Sequence, residues 1–136
     1  KYCEQFVTHC HETLANSTRP IQVAIMTTLT HFVDKLVLLK LSNAELTDTD
    51  KERLNKICDT LHQILRTSLA ISKYTRIRKE ALNIIITLSK KLIDGNHEEH
   101  LDKIKKLFSE LLTELSQDNQ PEVRTRVNDI KSMLLM

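Results

Sequence analysis

Glycine occurs once in these 136 residues, proline twice and tryptophan not at all. Each scarcity removes a class of protein. One glycine cannot build a phosphate-cradling loop or a run of tight hairpins. Two prolines do not make a linker or a polyproline segment. Few aromatics leave little with which to stack nucleic-acid bases or sugars. No apolar run reaches the roughly 18 residues that a membrane-spanning helix needs. The net charge of +2 is far from a polybasic or polyacidic balance. These residues show no signal-peptide pattern. Three cysteines, Cys3, Cys10 and Cys58, are an odd set. They read as free buried thiols of a reducing, intracellular compartment, cytoplasmic or nuclear. Asn16-Ser17-Thr18 has the form of a glycosylation acceptor, with nothing else in the chain to support secretion.

Helical periodicity is what the chain does have. Residues 1–15 align Cys3, Phe6, Val7, Cys10 and Leu14 on one stripe, and residues 19–41 align Ile21, Ile25, Leu29, Phe32, Val33 and Leu36. The stretch LSNAELTDTD breaks the pattern and supplies Thr and Asp caps for the next helix. Stripes follow over residues 50–71, 75–93 and 97–116, and a last helix runs from Pro121 to Leu135. Pro121 suits a first helical turn. Asp94-Gly95-Asn96 is a stop, with Gly95 read as the helix C-cap.

The six helices form three antiparallel pairs, over residues 1–41, 50–93 and 97–136, and the pairs repeat one another. NSTRPIQVAI, SKYTRIRKEA and DNQPEVRTRV align from Asn16, Ser72 and Asp118. Ile21, Ile77 and Val123 then coincide, as do Gln22, Arg78 and Arg124, Ile25, Ala81 and Val127, and Phe32, Leu88 and Leu134. The preceding helices match through Leu14, Leu69 and Leu115, then Cys10, Leu65 and Leu111, then Phe6, Leu61 and Leu107. Ser72 and Asp118 are 46 residues apart, and Asn16 and Ser72 are 56 apart. Two helices every 40–47 residues or so is a solenoid period. A lone pair cannot bury its apolar face, so pairs stack. The fold class expected is all-α, a right-handed superhelix of three pairs and a fragment of a longer array.

DNQPEVRTRV resembles the HEAT-repeat corner. That resemblance implies a ladder between neighbouring repeats, made by an Asp in the turn and an Arg opening the second helix. Asp118 and Arg124 match it. The middle copy keeps Arg78 but has Ser72, and the first has Asn16 and Gln22. The chain from ETLANSTRPIQVAIMTTLTHFVDKLVLL to YTRIRKEALNIIITLSKKL is also similar to the C-terminal part of the proteasome-associated HEAT-repeat adaptor and scaffold family. Gln22, Ala24, Arg78, Glu80, Ala81 and Leu82 carry that match. It implies a non-catalytic protein-binding role, tethering proteasomes to other complexes.

Sites for chemistry are sparse. Cys3 and Cys10 lie roughly 10 Å apart along one helix, and His9 and His11 point about 200° apart around it. Neither spacing holds a metal ion. His97-Glu98-Glu99-His100 lacks the spacing of a zinc-protease motif, and reads as a capped, solvated helix start. No nucleophile constellation is present. The expectation is no enzyme, no cofactor, no metal and no small-molecule ligand.

The basic residues need their own weighing. Lys73, Arg76, Arg78, Lys79, Lys90 and Lys91 crowd residues 72–93, and Lys103, Lys105 and Lys106 follow. Second helices line the concave side of such solenoids. There the columns are Lys79, Asn83, Ile86 and Lys90; then Val23, Thr27, Thr30 and Asp34; then Thr125, Asp129 and Ser132. Two lysines oppose two aspartates, whereas phosphate backbones are held by many cations. A protein partner fits this column better than nucleic acid. Val23, Thr27, Lys79, Asn83, Ile86 and Lys90 are its candidate contact residues. A cargo-binding segment of a nuclear transport receptor is the second reading, and a nucleic-acid-binding basic solenoid the third. The partner and the oligomeric state are not written in the sequence.

Overall fold

A computed structural model describes residues 2–14, 18–71 and 75–136. Asn16, Ser17, Ser72 and Lys73 lie outside the described residues, as do the side chains of Cys3 and Leu69. Readings that rest on them stand as sequence readings only.

Every regular element among the described residues is helical. The order is α1 (Tyr2–Leu14), α2 (Arg19–Lys35), α3 (Val37–Lys40), a 3-10 turn (Asn43–Glu45), α4 (Asp48–Ile71), α5 (Thr75–Asp94), α6 (Glu98–Leu115) and α7 (Pro121–Leu134). Six long helices pair as α1/α2, α4/α5 and α6/α7. First helices stack in one row, α1 on α4 on α6, and second helices in another, α2 on α5 on α7. This is the side-by-side stacking of a helical solenoid.

The reason is visible in burial. Leu54, Leu61, Ile64 and Leu65 on α4, and Ala81, Ile84, Leu88 and Leu92 on α5, are all 0% exposed. They recur at three- and four-residue steps, so each helix turns one apolar stripe inward. Burying each Leu or Ile side chain is worth roughly 1.5–3 kcal/mol. Leu14, Met26 and Phe108 extend the same continuous core into the outer pairs.

The expected helix over residues 19–41 is broken. Leu36 is extended, with φ −63° and ψ 119°, and its N–H turns back to the Val33 carbonyl at 3.3 Å. The break lets both Leu36 and Leu39 reach the core, each 3% exposed. The connector then starts α4 with reciprocal caps. Thr47 Oγ1 accepts from the Asp50 N–H at 3.1 Å, and Asp50 Oδ2 accepts from the Thr47 N–H at 3.2 Å.

The stop after α5 differs from its expected form. The left-handed residue is Asn96, with φ 57°, rather than Gly95. The His97 N–H reaches the Leu92 carbonyl at 2.9 Å and the Asn96 N–H the Ile93 carbonyl at 3.1 Å. That is a Schellman motif with Asn96 in the left-handed place. Gly95 answers a different need. A Cβ there would lie 2.5 Å from His97 Nε2 and 3.2 Å from the Leu41 carbonyl oxygen.

Candidate interaction surfaces

The corner before α7 is built from Asp118. Its Oδ1 accepts from the Gln120 N–H at 2.9 Å, two residues on, which fixes the turn. Gln120, not Asp118, is the N-cap residue of α7. The carboxylate also faces back across the seam to Arg78. Arg78 Nη2 donates to Oδ1 at 3.3 Å, and Nε stands 2.6 Å from Oδ2. The Nε–H points off that oxygen, so the short approach is a charge contact rather than a directed hydrogen bond. Both side chains are withdrawn from water, 15% and 7% exposed.

Arg124 takes another role. Its Nη1 donates to the Asp118 backbone carbonyl at 2.6 Å. The Asp118 carboxylate therefore pairs with the arginine of the preceding repeat, while the arginine six residues on supports the turn from within. In the first pair, Gln22 stands in the arginine register and donates from Nε2 to the Leu14 carbonyl at 3.2 Å.

The second-helix face gathers most of the candidate contact residues, and ion pairs occupy part of it. Lys79 reaches Glu122 of α7 at 2.6 Å, and Lys91 reaches Asp34 of α2 at 3.4 Å. Each lysine holds its partner carboxyl below the usual range, first through the hydrogen bond it donates and then through its charge. Val23, Thr27, Asn83 and Ile86 are half-buried, and Ile86 rests against the core. Lys90 is exposed. Farther round, Lys103 is anchored to Asp59 Oδ1 at 3.0 Å and to the Asn55 carbonyl at 3.1 Å. Lysines 79, 91 and 103 thus lock neighbouring helices together, which leaves fewer free cations than the sequence suggests.

Sequence reasoning missed one polar cluster. His97 and His100 are not a solvated helix start; they are 0% and 2% exposed. Their rings meet edge to face, centroids 6.0 Å apart. His97 Nε2 lies 2.9 Å from the Leu41 carbonyl and His100 Nε2 3.4 Å from the Lys51 carbonyl. A carbonyl only accepts, so Nε2 carries the proton in each neutral ring and Nδ1 is the bare acceptor. Neither Nδ1 has a hydrogen-bond partner among the described residues. Burial pushes the His100 imidazole below its usual range, against the opposing pull of the Lys51 carbonyl. Part of the signal was present: His100 continues the buried stripe of Ile104 and Phe108 at four-residue steps, while His97, the N-cap just outside α6, is carried inward by the stop after α5. Glu98 and Glu99 are exposed in the first turn of α6, as capping predicts.

Cys10 and Cys58 are free and buried. Burial raises both thiols, Cys58 to about 12, so neither offers a thiolate near neutrality. His9 is exposed. Among the described residues, no group of three or more His, Cys, Asp or Glu side chains is set to hold a metal ion. No described helix is long and apolar enough to cross a membrane.

Stacked helix pairs, joined by cross-pair ion pairs and carrying a half-buried second-helix face, define an all-helical solenoid-type protein. Comparison adds a particular relative. Over 148 aligned residues the chain is 30% identical to a fruit-fly (Drosophila melanogaster) protein named "Proteasome-associated protein ECM29 homolog". The match covers 95% of this chain, which spans 8% of the relative's length. No family model matches the chain, and no solved structure matches it.

Proposed function

We propose that the chain is a non-catalytic scaffold module that binds protein partners, part of a longer helical array that tethers proteasomes to other complexes inside the cell. The observation that carries this reading is the 30% identity, across 95% of the chain, to a proteasome-associated protein. The second-helix face supports it. Asn83, Ile86 and Lys90 offer mixed polar, apolar and cationic contact on α5, with Val23 and Thr27 beside them on α2. Of the lysines there, Lys79 and Lys91 are tied to carboxylates, which weakens any case for a phosphate-binding groove.

The test is affinity purification of the full-length polypeptide that carries this segment, tagged, at moderate salt. Proteasome subunits should co-purify in defined stoichiometry. Ile86→Asp with Lys90→Glu should reduce their recovery at least about fivefold; because Ile86 rests against the core, Lys90→Glu alone, at an exposed position, is the variant that should reduce recovery in part while leaving the melt unaltered. Recovery of the tagged protein free of proteasome subunits would overturn the tethering role. Unchanged recovery with the double variant would move the contact off the second-helix face.

A further inference from the structure

The stack is regular except at the connector between α3 and α4, where the first repeat carries its extra length. Leu41 and Ser42 are extended there, with ψ 145° and 161°. A 3-10 turn follows over Asn43–Glu45 and buries none of its own residues. It is closed by the Glu45 N–H on the Ser42 carbonyl at 2.9 Å and the Leu46 N–H on the Asn43 carbonyl at 3.4 Å. Such turns have poorer hydrogen bonds than an α-helix and yield readily. On either side of Ser42, the Leu41 carbonyl is pinned to His97 and the Asn43 N–H to Gly95. Ser42 is therefore held over the end of α5, in an irregular stretch on a rigid scaffold.

Ser42 stands in a pocket of about 330 Å³ whose charged members are Lys40, Lys91, Glu45 and Asp94. Its hydroxyl donates to Glu45 Oε1 at 3.0 Å on the exposed side. Lys40 is exposed, and Lys91 reaches Asp34 at 3.4 Å. Both cations can turn to a stronger anion. Glu45 and Asp94 oppose one, yet both are exposed and can swing outward. The other connector hydroxyls are set differently. Thr47 Oγ1 already caps the Asp50 N–H, and Thr49 lies within the first turn of α4 between Asp48 and Asp50. A new anion on either threonine would meet carboxylates, whereas on Ser42 it meets two lysines.

We propose that Ser42 is a phosphorylation site for an acidic-directed serine/threonine kinase, and that Lys40 and Lys91 seat its phosphate. Glu45, three residues on, supplies the carboxylate that such kinases read. The Ser42 oxygen attacks the γ-phosphorus of magnesium-bound ATP held by the kinase. The Oγ–P bond forms as the bond to the β,γ-bridging oxygen breaks, ADP leaves, and the hydroxyl proton passes to a carboxylate of the kinase. A phosphoserine carries about −1.5 to −2 charges near neutrality. It outcompetes the single charge of Asp34 for Lys91, and the tie between α2 and α5 opens. The connector is thereby a charge switch acting on the two second helices that flank the proposed contact face. The inference holds whether or not the proteasome is the partner.

The experiment treats the folded full-length polypeptide that carries this segment with a purified acidic-directed kinase and magnesium ATP, and maps the phosphate by mass spectrometry. Ser42 should be labelled, Ser42→Ala should lose that label, and Glu45→Gln should slow labelling at least about fivefold. A broad-specificity phosphatase should then release the phosphate at least about fivefold faster from the Lys40→Ala, Lys91→Ala double variant than from the parent. Amides in the last turn of α2 should exchange about threefold faster in the phosphoprotein, as they should in unphosphorylated Lys91→Ala. No phosphate on Ser42, or phosphate on Thr47 or Thr49 in its place, would overturn the site. Equal phosphatase rates in parent and double variant would overturn the seating by lysines, and unchanged α2 exchange would overturn the switch.

Discussion

Arg78 and Asp118, 40 residues apart in sequence, meet across the seam between the second and third helix pairs, with Nε 2.6 Å from Oδ2. The contact joins two repeats, and the same carboxylate holds the turn that starts α7. Asp118→Ala should therefore cost far more than Arg124→Ala. Removing one member of a largely buried ion pair leaves the other charge uncompensated, a loss on the order of 3 kcal/mol. Arg124 is exposed and gives one hydrogen bond to a carbonyl, so its loss should cost about 0.5–1 kcal/mol. Urea melts of both variants, with helix content followed by circular dichroism, check the ranking. Equal midpoints would refute the assignment of the rung to Arg78.

Gly95→Ala is expected to destabilise, although Gly95 has no positive φ and alanine there would lower the entropy of the unfolded chain. The added methyl would meet the buried His97 ring, which the Leu41 carbonyl holds in place. Overpacking of this kind costs about 1–3 kcal/mol. A thermal melt gives the sign directly; a variant more stable than the parent would mean that the ring can move aside.

Ser89 makes the opposite case. Its hydroxyl is fully buried and has no hydrogen-bond partner among the described residues. It occupies the register that holds Val33 in the first pair. Ser89→Ala removes an unsatisfied polar atom and should stabilise by about 1 kcal/mol. Differential scanning calorimetry would detect the upward shift, and a downward one would reveal a hydrogen bond that Ser89 makes after all.

Acidification should weaken the fold through its histidines. Burial holds both His62 and His100 below the usual imidazole range of 6.5. The unfolded chain therefore takes up protons first, and stability is full above about pH 6.5. It is lost progressively as pH falls from there through the lower folded values. Melting temperatures between pH 7.5 and 5 should decline, and His100→Asn should flatten the decline. An identical slope in the variant would remove His100 from the account.

The sequence reports the long helices clearly because their apolar steps of three and four residues repeat for several turns. It reports the break after Lys35 poorly, since VLLKL continues the apolar run while Leu36 turns extended. The partner of Asp118 is hidden for a different reason. Arg78 and Arg124 occupy equivalent places in neighbouring copies, and only the stacking decides which one reaches the carboxylate. His97 and His100 look solvated beside two glutamates, yet His100 lies four residues before Ile104 on the buried stripe, and the stop after α5 carries His97 inward. The second-helix residues proposed for partner contact are legible as one helix column, whereas the ion pairs that occupy part of that face depend on distances between helices.

The connector after α3 bears on how the molecule comes apart. In a one-dimensional array each unit senses only its immediate neighbours, and ends can fray alone. Here the Leu41 carbonyl, at the close of the first pair, accepts from His97, where the third begins, and the Asn43 N–H donates to the Gly95 carbonyl at 2.9 Å. The first bond ties the connector to the N-cap of α6 and the second ties it to the stop of α5, so one segment fastens the end of the second pair and the start of the third to the close of the first. Fraying of the first pair at that point should therefore loosen the α5–α6 turn as well.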